Sequence, residues 1–232
     1  MLLISGFGTQ LNWWDFRIGF IVLRYGAYLG LVSAILAAAA TVAMLLWHRL
    51  RNFIIVNILV VVVGLVTVAV PYSWQQQARS VPTIHDISTD LDDPPEFVDI
   101  APLRADAPNP VEYAGADTAE AQREAYPGIQ PLYFDAPVEH VFRAAEQAVA
   151  DLDWELIAAD EDAGRIEVTD TTRWFGFKDD VVIRIQPDND RTRLDMRSKS
   201  RVGKSDVGTN AARIRTFLEV MRIKLPAASQ SG

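Results

Sequence analysis

Hydrophobic residues are concentrated in the first 70 positions, where they form two nearly uninterrupted runs. Residues 26–47 contain no charged side chain and are long enough to cross a hydrocarbon layer about 30 Å thick. Residues 53–70 form a second apolar run, in which Asn57 is the one strongly polar side chain. Because only five residues separate the runs, the pattern predicts an antiparallel transmembrane hairpin over residues 26–74.

The segment before the hairpin, residues 1–25, is predicted to lie at the membrane surface, and the alternative is a frayed terminus. It contains Trp13, Trp14 and Phe16 next to Arg17, a combination that favours the headgroup layer. A cleaved signal peptide is a poor alternative, because the first apolar run starts late, is too long and is followed by a second one.

Small residues recur every fourth position along the first predicted span. They are Gly26, Gly30, Ala34 and Ala38, and they give the helix one face that another helix can approach closely. That helix is either the second span of the same chain or a span of another membrane protein. The bilayer is the expected partner in both cases.

Residues 75–130 are rich in proline and acidic side chains and show little hydrophobic periodicity. We therefore expect a linker that is mostly extended or disordered. Within it, the run HDISTD starting at His85 is followed by further carboxylates and by Phe97. A divalent cation site is one interpretation of that run. A proline-rich strap lying on the folded domain, held by isolated apolar anchors, is the favoured one, and no metal site is predicted.

From residue 131 the pattern becomes regular. Helical spacing follows Asp135, which is a candidate N-cap, and four alternating segments then predict strands joined by hairpin-length turns. A last amphipathic helix follows Asn210. The expected fold is therefore α+β, with the order α-β-β-β-β-α.

This order implies a four-stranded antiparallel sheet covered by two helices over residues 131–226, with a disordered tail at 227–232. We expect a fragment starting near residue 130 to fold alone.

The net charge and the distribution of charged residues along the chain each add a constraint. The net charge of −8 argues against a nucleic-acid partner. Residues 81–124 carry eleven acidic side chains against two arginines, whereas residues 197–224 carry eight basic side chains against two acidic ones. The two stretches can neutralise each other. There is no cysteine, which excludes disulfides and thiolate chemistry.

Two constellations are candidate contact sites. Trp174, Phe175 and Phe177 surround a glycine between two predicted strands, and they either fill the core or form a protruding tip for a partner, a ligand or the bilayer.

The second constellation is a basic, glycine-containing loop that leads into the last helix. Free amides and the helix dipole at such a helix start suit an anion. The candidate anion ligands are Arg197, Arg201, Lys204 and Asn210. The alternative is that these cations pair with acidic residues of the chain itself.

No familiar catalytic pattern accompanies these features. The three histidines lie in separate segments, and the sequence has no zinc-ligand spacing, Ser-His-Asp order or dinucleotide fingerprint. We therefore expect no enzymatic activity, no catalytic residue and no cofactor.

Three ordered stretches resemble the DUF1499 family. They are the HDISTD run from His85, the run TRWFGFKDDVV from Thr172, and the segment from Arg197 to Ile214. The resemblance covers roughly residues 80–225 and implies no catalytic residue, because the family has no established activity. It also favours an orientation in which the integral anchor lies in the bacterial inner membrane and the soluble domain in the periplasm. The expected role is a membrane-anchored accessory or interaction module, and the alternative is a carrier or sensor of a lipid or another hydrophobic ligand.

Overall fold

Two long apolar helices dominate the N-terminal part of the computed structural model, which describes residues 1–225. Both are long and apolar enough to cross a membrane, and little of either is buried inside the protein. The predicted pair of apolar helices is thus confirmed. The predicted tail at 227–232 lies outside the described residues. The helical elements of this part are α1 (Leu2–Gln10), α2 (Phe16–Leu46), a 3-10 helix (His48–Phe53) and α3 (Ile54–Ser80).

Small side chains allow α2 and α3 to pack closely. A Cβ atom at Gly64 would lie 2.6 Å from the carbonyl oxygen of Gly30 and 2.9 Å from the Cβ of Ala34, so no larger residue fits there. Asn57 adds a polar contact, because its Nδ2 donates to the Ala37 carbonyl at 2.6 Å and to the Thr41 hydroxyl at 2.7 Å. Part of the predicted stripe of small residues therefore packs on the chain's own second helix.

The remaining elements belong to an α+β unit. In chain order they are β1 (Asp86–Ser88), a 3-10 helix (Ala101–Arg104), α4 (Ala116–Ala125), β2 (Leu132–Phe134), α5 (Val138–Asp151), β3 (Glu155–Asp160), β4 (Arg165–Thr171), β5 (Lys178–Asp188), β6 (Arg191–Ser200) and α6 (Thr209–Lys224). The chain divides into two compact units, Met1–Ser80 with Arg173–Gly176, and Val81–Thr172 with the residues from Phe177 onward.

The sheet has six strands, not the predicted four. Its order is β1-β6-β5-β4-β3, and β2 also pairs with β6, so that β1 and β2 lie end to end along one edge. All pairings are antiparallel, as the hairpin-length turns predicted. The two strands that the pattern missed are three residues long, too short to show an alternation.

The two faces of the sheet are covered differently. On one face α5 and α6 pack over alternate strand residues and form a continuous apolar core, in which Phe134, Met196 and Phe217 have no exposed surface. We call this the helix face. Asp135, the predicted N-cap of α5, is not its cap, because the helix begins at Val138 after Pro137 without a side-chain cap.

The opposite face is covered by the segment that the composition predicted to be a mostly extended or disordered linker. Residues 89–115, here named the strap, run across this strap face and carry Phe97 and Ile100 onto Val182 of β5. Gln122 of α4 then fixes β1, accepting from the Ser88 amide at 3.0 Å and donating to the Ser88 carbonyl at 2.6 Å. These residues therefore form a proline-rich strap that is packed on the sheet, and they do not form a linker.

A truncation series should locate the domain boundary. We expect residues 81–232 to unfold in one cooperative transition, and residues 130–232 to lack one, because the shorter fragment has lost β1, the strap and the groups that satisfy the strap face. Circular dichroism during urea titration measures both. Cooperative unfolding of the shorter fragment would contradict the assignment of the strap to the domain.

Candidate functional site

Residues from the three motif stretches meet at one end of the sheet. β1 carries the start of the HDISTD run, the first residues of β5 carry the KDD sequence, and the end of β6 leads through a loop into α6. In the register, Asp86 and Asp180 both lie opposite Lys199, one on each side of β6. The strap face at this point consists of charged side chains, and most of them are buried.

The first cluster is centred on Asp86. Its carboxylate receives a bidentate pair of hydrogen bonds from Arg197, both at 2.9 Å, and lies 3.0 Å from the Lys199 Nζ. Asp86 and its two cationic partners have 2% or less of their surface exposed. The strap completes the cluster, because Arg197 also donates to the Pro95 and Val111 carbonyls at 3.2 and 3.0 Å.

The second cluster is centred on Asp180, which is fully buried. It accepts from Arg104 of the strap at 2.6 Å, from Arg201 at 2.8 Å on each oxygen, and from the Thr169 hydroxyl at 2.7 Å. Arg104 donates further to the carbonyls of Lys199 and Ser200. One carboxylate thus holds two guanidinium groups, of which one comes from the strap and one from the basic loop.

A third cluster joins the other end of the strap to the sheet. Arg193 and Arg184 both contact the buried Asp195, at 3.0 and 3.1 Å, and both also contact Asp90 of the strap, at 2.6 and 3.2 Å. Burial by itself would raise the pKa of the Asp90 carboxyl. The amides of Asp92 and Asp93 and the two arginines outweigh that effect, so that its pKa is lowered.

Glu167 of β4 binds the middle of the strap through backbone groups. Its two carboxylate oxygens accept from the amides of Val98 and Ile100, each at 2.7 Å, and Arg165 lies 3.1 Å away. The carboxylate is fully buried. It therefore takes the place that the carbonyls of a neighbouring strand would occupy and holds the strap amides over the sheet.

A separate polar cluster lies on the helix face. Arg213 of α6 donates to Asp170 and to Asp179 at 2.7 Å, and to the Ser198 hydroxyl at 3.1 Å. Asn210 bonds the same hydroxyl and donates to the His85 carbonyl at 3.0 Å. Asp179 and Asp180 therefore point to opposite faces, as their adjacency in a strand requires.

The start of α6 is occupied by a carboxylate of the chain. Asp206 accepts from the amides of Gly208 at 2.9 Å and Asn210 at 2.6 Å, and burial raises its pKa. The helix begins at Thr209 after the cap residue Gly208, so Asn210, after which the sequence pattern predicted the helix to start, lies in its first turn. The predicted anion ligands Arg197 and Arg201 are already paired with carboxylates, Asn210 is buried, and Lys204 is exposed.

The residues of the aromatic turn are divided between the two compact units. Trp174 and Phe175 belong to the N-terminal unit, where Trp174 Nε1 donates to the Leu3 carbonyl at 3.1 Å and its ring lies 4.8 Å from that of Trp74. Phe175 is buried, with its ring 5.0 Å from Phe20. The predicted protruding tip thus packs on helices of the same chain.

Phe177 belongs to the α+β unit. Its amide and carbonyl form hydrogen bonds of 2.8 Å with the Thr172 side chain and amide, which close the base of the turn.

Several groups of the buried clusters have displaced pKa values. Burial lowers the pKa of Lys199, against the effect of Asp86. Burial and the Asp86 charge raise the pKa of Tyr113 to about 12, and the Tyr113 hydroxyl is buried without a hydrogen-bond partner. Among residues 1–225, no three His, Asp or Glu side chains are placed to hold a metal ion.

Sequence reasoning missed most of the buried anions and the strap arginine. Asp86, Arg104, Glu167 and Asp180 were not among the predicted site residues. The alternation of apolar and charged residues along β6 was the available signal, but it is also typical of a strand with one solvated face. Only the ion-pair alternative for the basic loop pointed toward this arrangement.

The chain belongs to the DUF1499 family. A family model described as "Protein of unknown function (DUF1499)" matches residues 86–221, which is more than half of the chain. No curated protein matches the chain. The matched range starts at Asp86 and therefore includes the strap as well as the sheet.

Removal of one buried anion tests the importance of the clusters. We expect Asp180→Asn to reduce the free energy of unfolding by about 3–5 kcal/mol, because Arg104 and Arg201 then remain buried without their counter-charge. The exposed Asp92→Asn should change it by less than about 0.5 kcal/mol. Urea unfolding of the two variants and the parent measures this, and equal stabilities would contradict the proposed importance of the pair.

Tyr113 provides a pH test. Its pKa is raised in the folded protein to about 12 from an ordinary value of 10, so its contribution to stability is present below pH 10 and is lost as the pH rises toward 12. We expect Tyr113→Phe to keep or increase stability at pH 7 and to flatten the stability decrease between pH 10 and 12. Unchanged steepness in that range would show that other groups control alkaline unfolding.

Proposed function

We propose that this protein is a membrane-tethered accessory or interaction module without catalysis of its own. The observation that carries the proposal is that the charged residues of its family motifs bind one another. Arg197, Lys199 and Arg201 are engaged by buried carboxylates, and the strap covers them. Residues arranged in this way stabilise a scaffold.

The anchor rests on the two apolar helices. Large aliphatic side chains along α2 and α3 are exposed, with Leu36 at 65% and Ile55 at 74%. Apolar surface of this extent is costly in water and normal in lipid. Aromatic rings near the helix ends, including Trp47, Phe53 and Tyr72, fit the two headgroup layers.

A catalytic use of the motif carboxylates is disfavoured by their saturation. Asp86 and Asp180 each receive two or more hydrogen bonds from cationic side chains, and both have no exposed surface. A general base needs a free lone pair within reach of a substrate proton. Neither carboxylate meets this requirement without displacement of the strap.

The second candidate, a carrier of a hydrophobic ligand, requires space between sheet and helices. That space is filled by side chains of the apolar core, including Phe142, Ile183 and Leu218. An open groove of about 460 Å³ lies instead on the outer side of α6, beside Gly128, with Arg215 and Arg222 at its wall. Its open, partly charged lining fits a surface contact better than an enclosed lipid site.

A measurement of bound lipid distinguishes the accessory module from the carrier. Under the proposal, residues 81–232 purified from a bacterial host contain no stoichiometric lipid when extracts are analysed by mass spectrometry. A carrier would retain about one lipid per domain. This measurement is independent of the anchor, because the fragment lacks α2 and α3.

We place the soluble unit in the periplasm, with the anchor in the bacterial inner membrane. The support is the basic loop after α2, where Arg49 and Arg51 favour the cytoplasmic side. Arginines at the opposite ends of the helices, among them Arg17 and Arg79, weaken this charge asymmetry. The tendency implied by the family resemblance favours the same orientation.

Reporter fusions test this orientation. Alkaline phosphatase fused after Gly232 is expected to be active and green fluorescent protein at the same site dark, because the first folds in the periplasm and the second does not fluoresce there after unfolded export. Fusion of both reporters after Arg51 should give the reverse pattern and serves as the internal control. A fluorescent fusion after Gly232 would invert the proposed topology.

Membrane attachment itself is tested by extraction. The full chain should stay in the membrane pellet at high salt and at alkaline pH and should dissolve in mild detergent, whereas residues 81–232 should remain soluble throughout. Release of the full chain by salt would contradict an integral anchor.

A further inference from the structure

The short N-terminal helix α1 buries small and polar residues and exposes large apolar ones. Its buried residues are Ser5, Gly6 and Gly8, whereas its large apolar side chains are exposed, with Leu3 at 68%, Phe7 at 46% and the C-terminal cap residue Leu11 at 58%. A helix on the surface of a water-soluble protein shows the opposite arrangement. The whole segment before Asp15 contains no charged side chain.

The two hydroxyl groups of α1 are satisfied without water. The Ser5 hydroxyl donates to the Leu2 carbonyl at 2.5 Å, and the Thr9 hydroxyl donates to the Ser5 carbonyl at 3.1 Å. Such local bonds are what a helix requires where no water can reach it.

Small residues allow α1 to pack closely on α2. A Cβ atom at Gly26 would lie 3.0 Å from the Met1 Cβ, and one at Gly19 would lie 2.7 Å from the Ser5 carbonyl oxygen. Met1 is therefore level with Gly26 and Ser5 with Gly19, so α1 runs antiparallel to α2. Close contact through small residues, with large apolar residues outside, is the packing rule of helices in lipid.

We infer that α1 is embedded at the edge of the hydrocarbon layer, beside residues 19–26 of α2, that it does not span, and that its outer face contacts lipid acyl chains. With nine residues it is about 14 Å long, less than half of the hydrocarbon thickness. The inference rests on the proposed membrane anchor. It assigns lipid as the partner of the exposed apolar face of α1, which the two spans do not cover.

Lipid is the occupant for two reasons. The exposed apolar side chains of α1 continue onto the neighbouring part of α2, where Ile18 and Ile21 are 48% and 46% exposed, and this surface leads into the apolar face of the span. The turn after α1 exposes Trp13, at 61%, four positions before Arg17 in the sequence, and both residue types suit the boundary between acyl chains and headgroups.

Site-directed spin labelling tests this inference on the full chain, because the sequence has no cysteine and each introduced thiol is unique. The variants are Leu3→Cys and Leu11→Cys in α1, Val62→Cys in α3, and Leu156→Cys on the exposed edge of the α+β unit. Each is placed in vesicles of phosphatidylcholine and phosphatidylglycerol. Collision of the label with oxygen, which partitions into lipid, is compared with collision with a water-soluble nickel complex.

We expect the oxygen-to-nickel collision ratio at Leu3→Cys to exceed that at Leu156→Cys several-fold and to stay below that at Val62→Cys, which lies in the middle of the second apolar run. Leu11→Cys, nearer the tryptophans, should give an intermediate ratio and provides a second position if Leu3→Cys fails to fold. A water-like ratio at both α1 positions would overturn the inference while a lipid-like Val62→Cys upholds the anchor.

Two other results are also decisive. Low collision with both reagents at Leu3→Cys would mean that a protein surface, such as a second copy of the chain, covers α1, and would overturn the lipid contact. A water-like ratio at Val62→Cys would overturn the membrane anchor itself, and the inference with it.

Discussion

The buried charges on the strap face of the sheet are the constraint on which the α+β unit depends. A charge removed from water costs several kcal/mol unless it is paired and its remaining hydrogen-bonding groups are satisfied. Asp180 meets this condition only with Arg104, which the strap supplies, and Arg197 only with Asp86 and two strap carbonyls. The sheet and the strap are therefore one cooperative structure. Neither can be stable with its present sequence in the absence of the other.

This dependence explains why the motifs are spread over so much of the chain. A carboxylate in β1, an arginine in the strap and a basic loop after β6 are separated by up to about a hundred residues, yet each completes the coordination of another. Hydrophobic residues tolerate exchange for others of similar size, whereas a bidentate ion pair fixes both partners in identity and in geometry. Motif residues of this kind specify which segment lies where on the sheet, so they need no substrate to account for them.

Regular elements were predictable from the sequence because their residues alternate or recur at helical spacing. The two apolar helices, α5, α6 and the strands β3–β6 produce such periods, and their antiparallel pairing follows from the short turns. β1 and β2 are too short for a period, and the strap has none, because glutamate, guanidinium and carbonyl groups fix it and apolar contacts play a small part. The charged residues of β6 are equally typical of a strand with one solvated face. Whether Arg193 or Arg197 faces water or a strap is decided by residues a hundred positions away, and no local pattern contains that information.

The two units of the chain distribute large apolar side chains between interior and surface in opposite ways. In the α+β unit, apolar side chains such as Phe134 and Met196 are inside, and a charge is inside only with its partner. In the N-terminal unit, Ser5, Gly64 and Ala34 are inside, while leucine, isoleucine and valine form the surface. Each arrangement minimises free energy in only one medium, because water favours buried hydrocarbon and lipid favours internally satisfied polar groups. Under the proposed membrane anchor, the order of large and small residues along the chain therefore suits lipid in the N-terminal unit and water in the α+β unit.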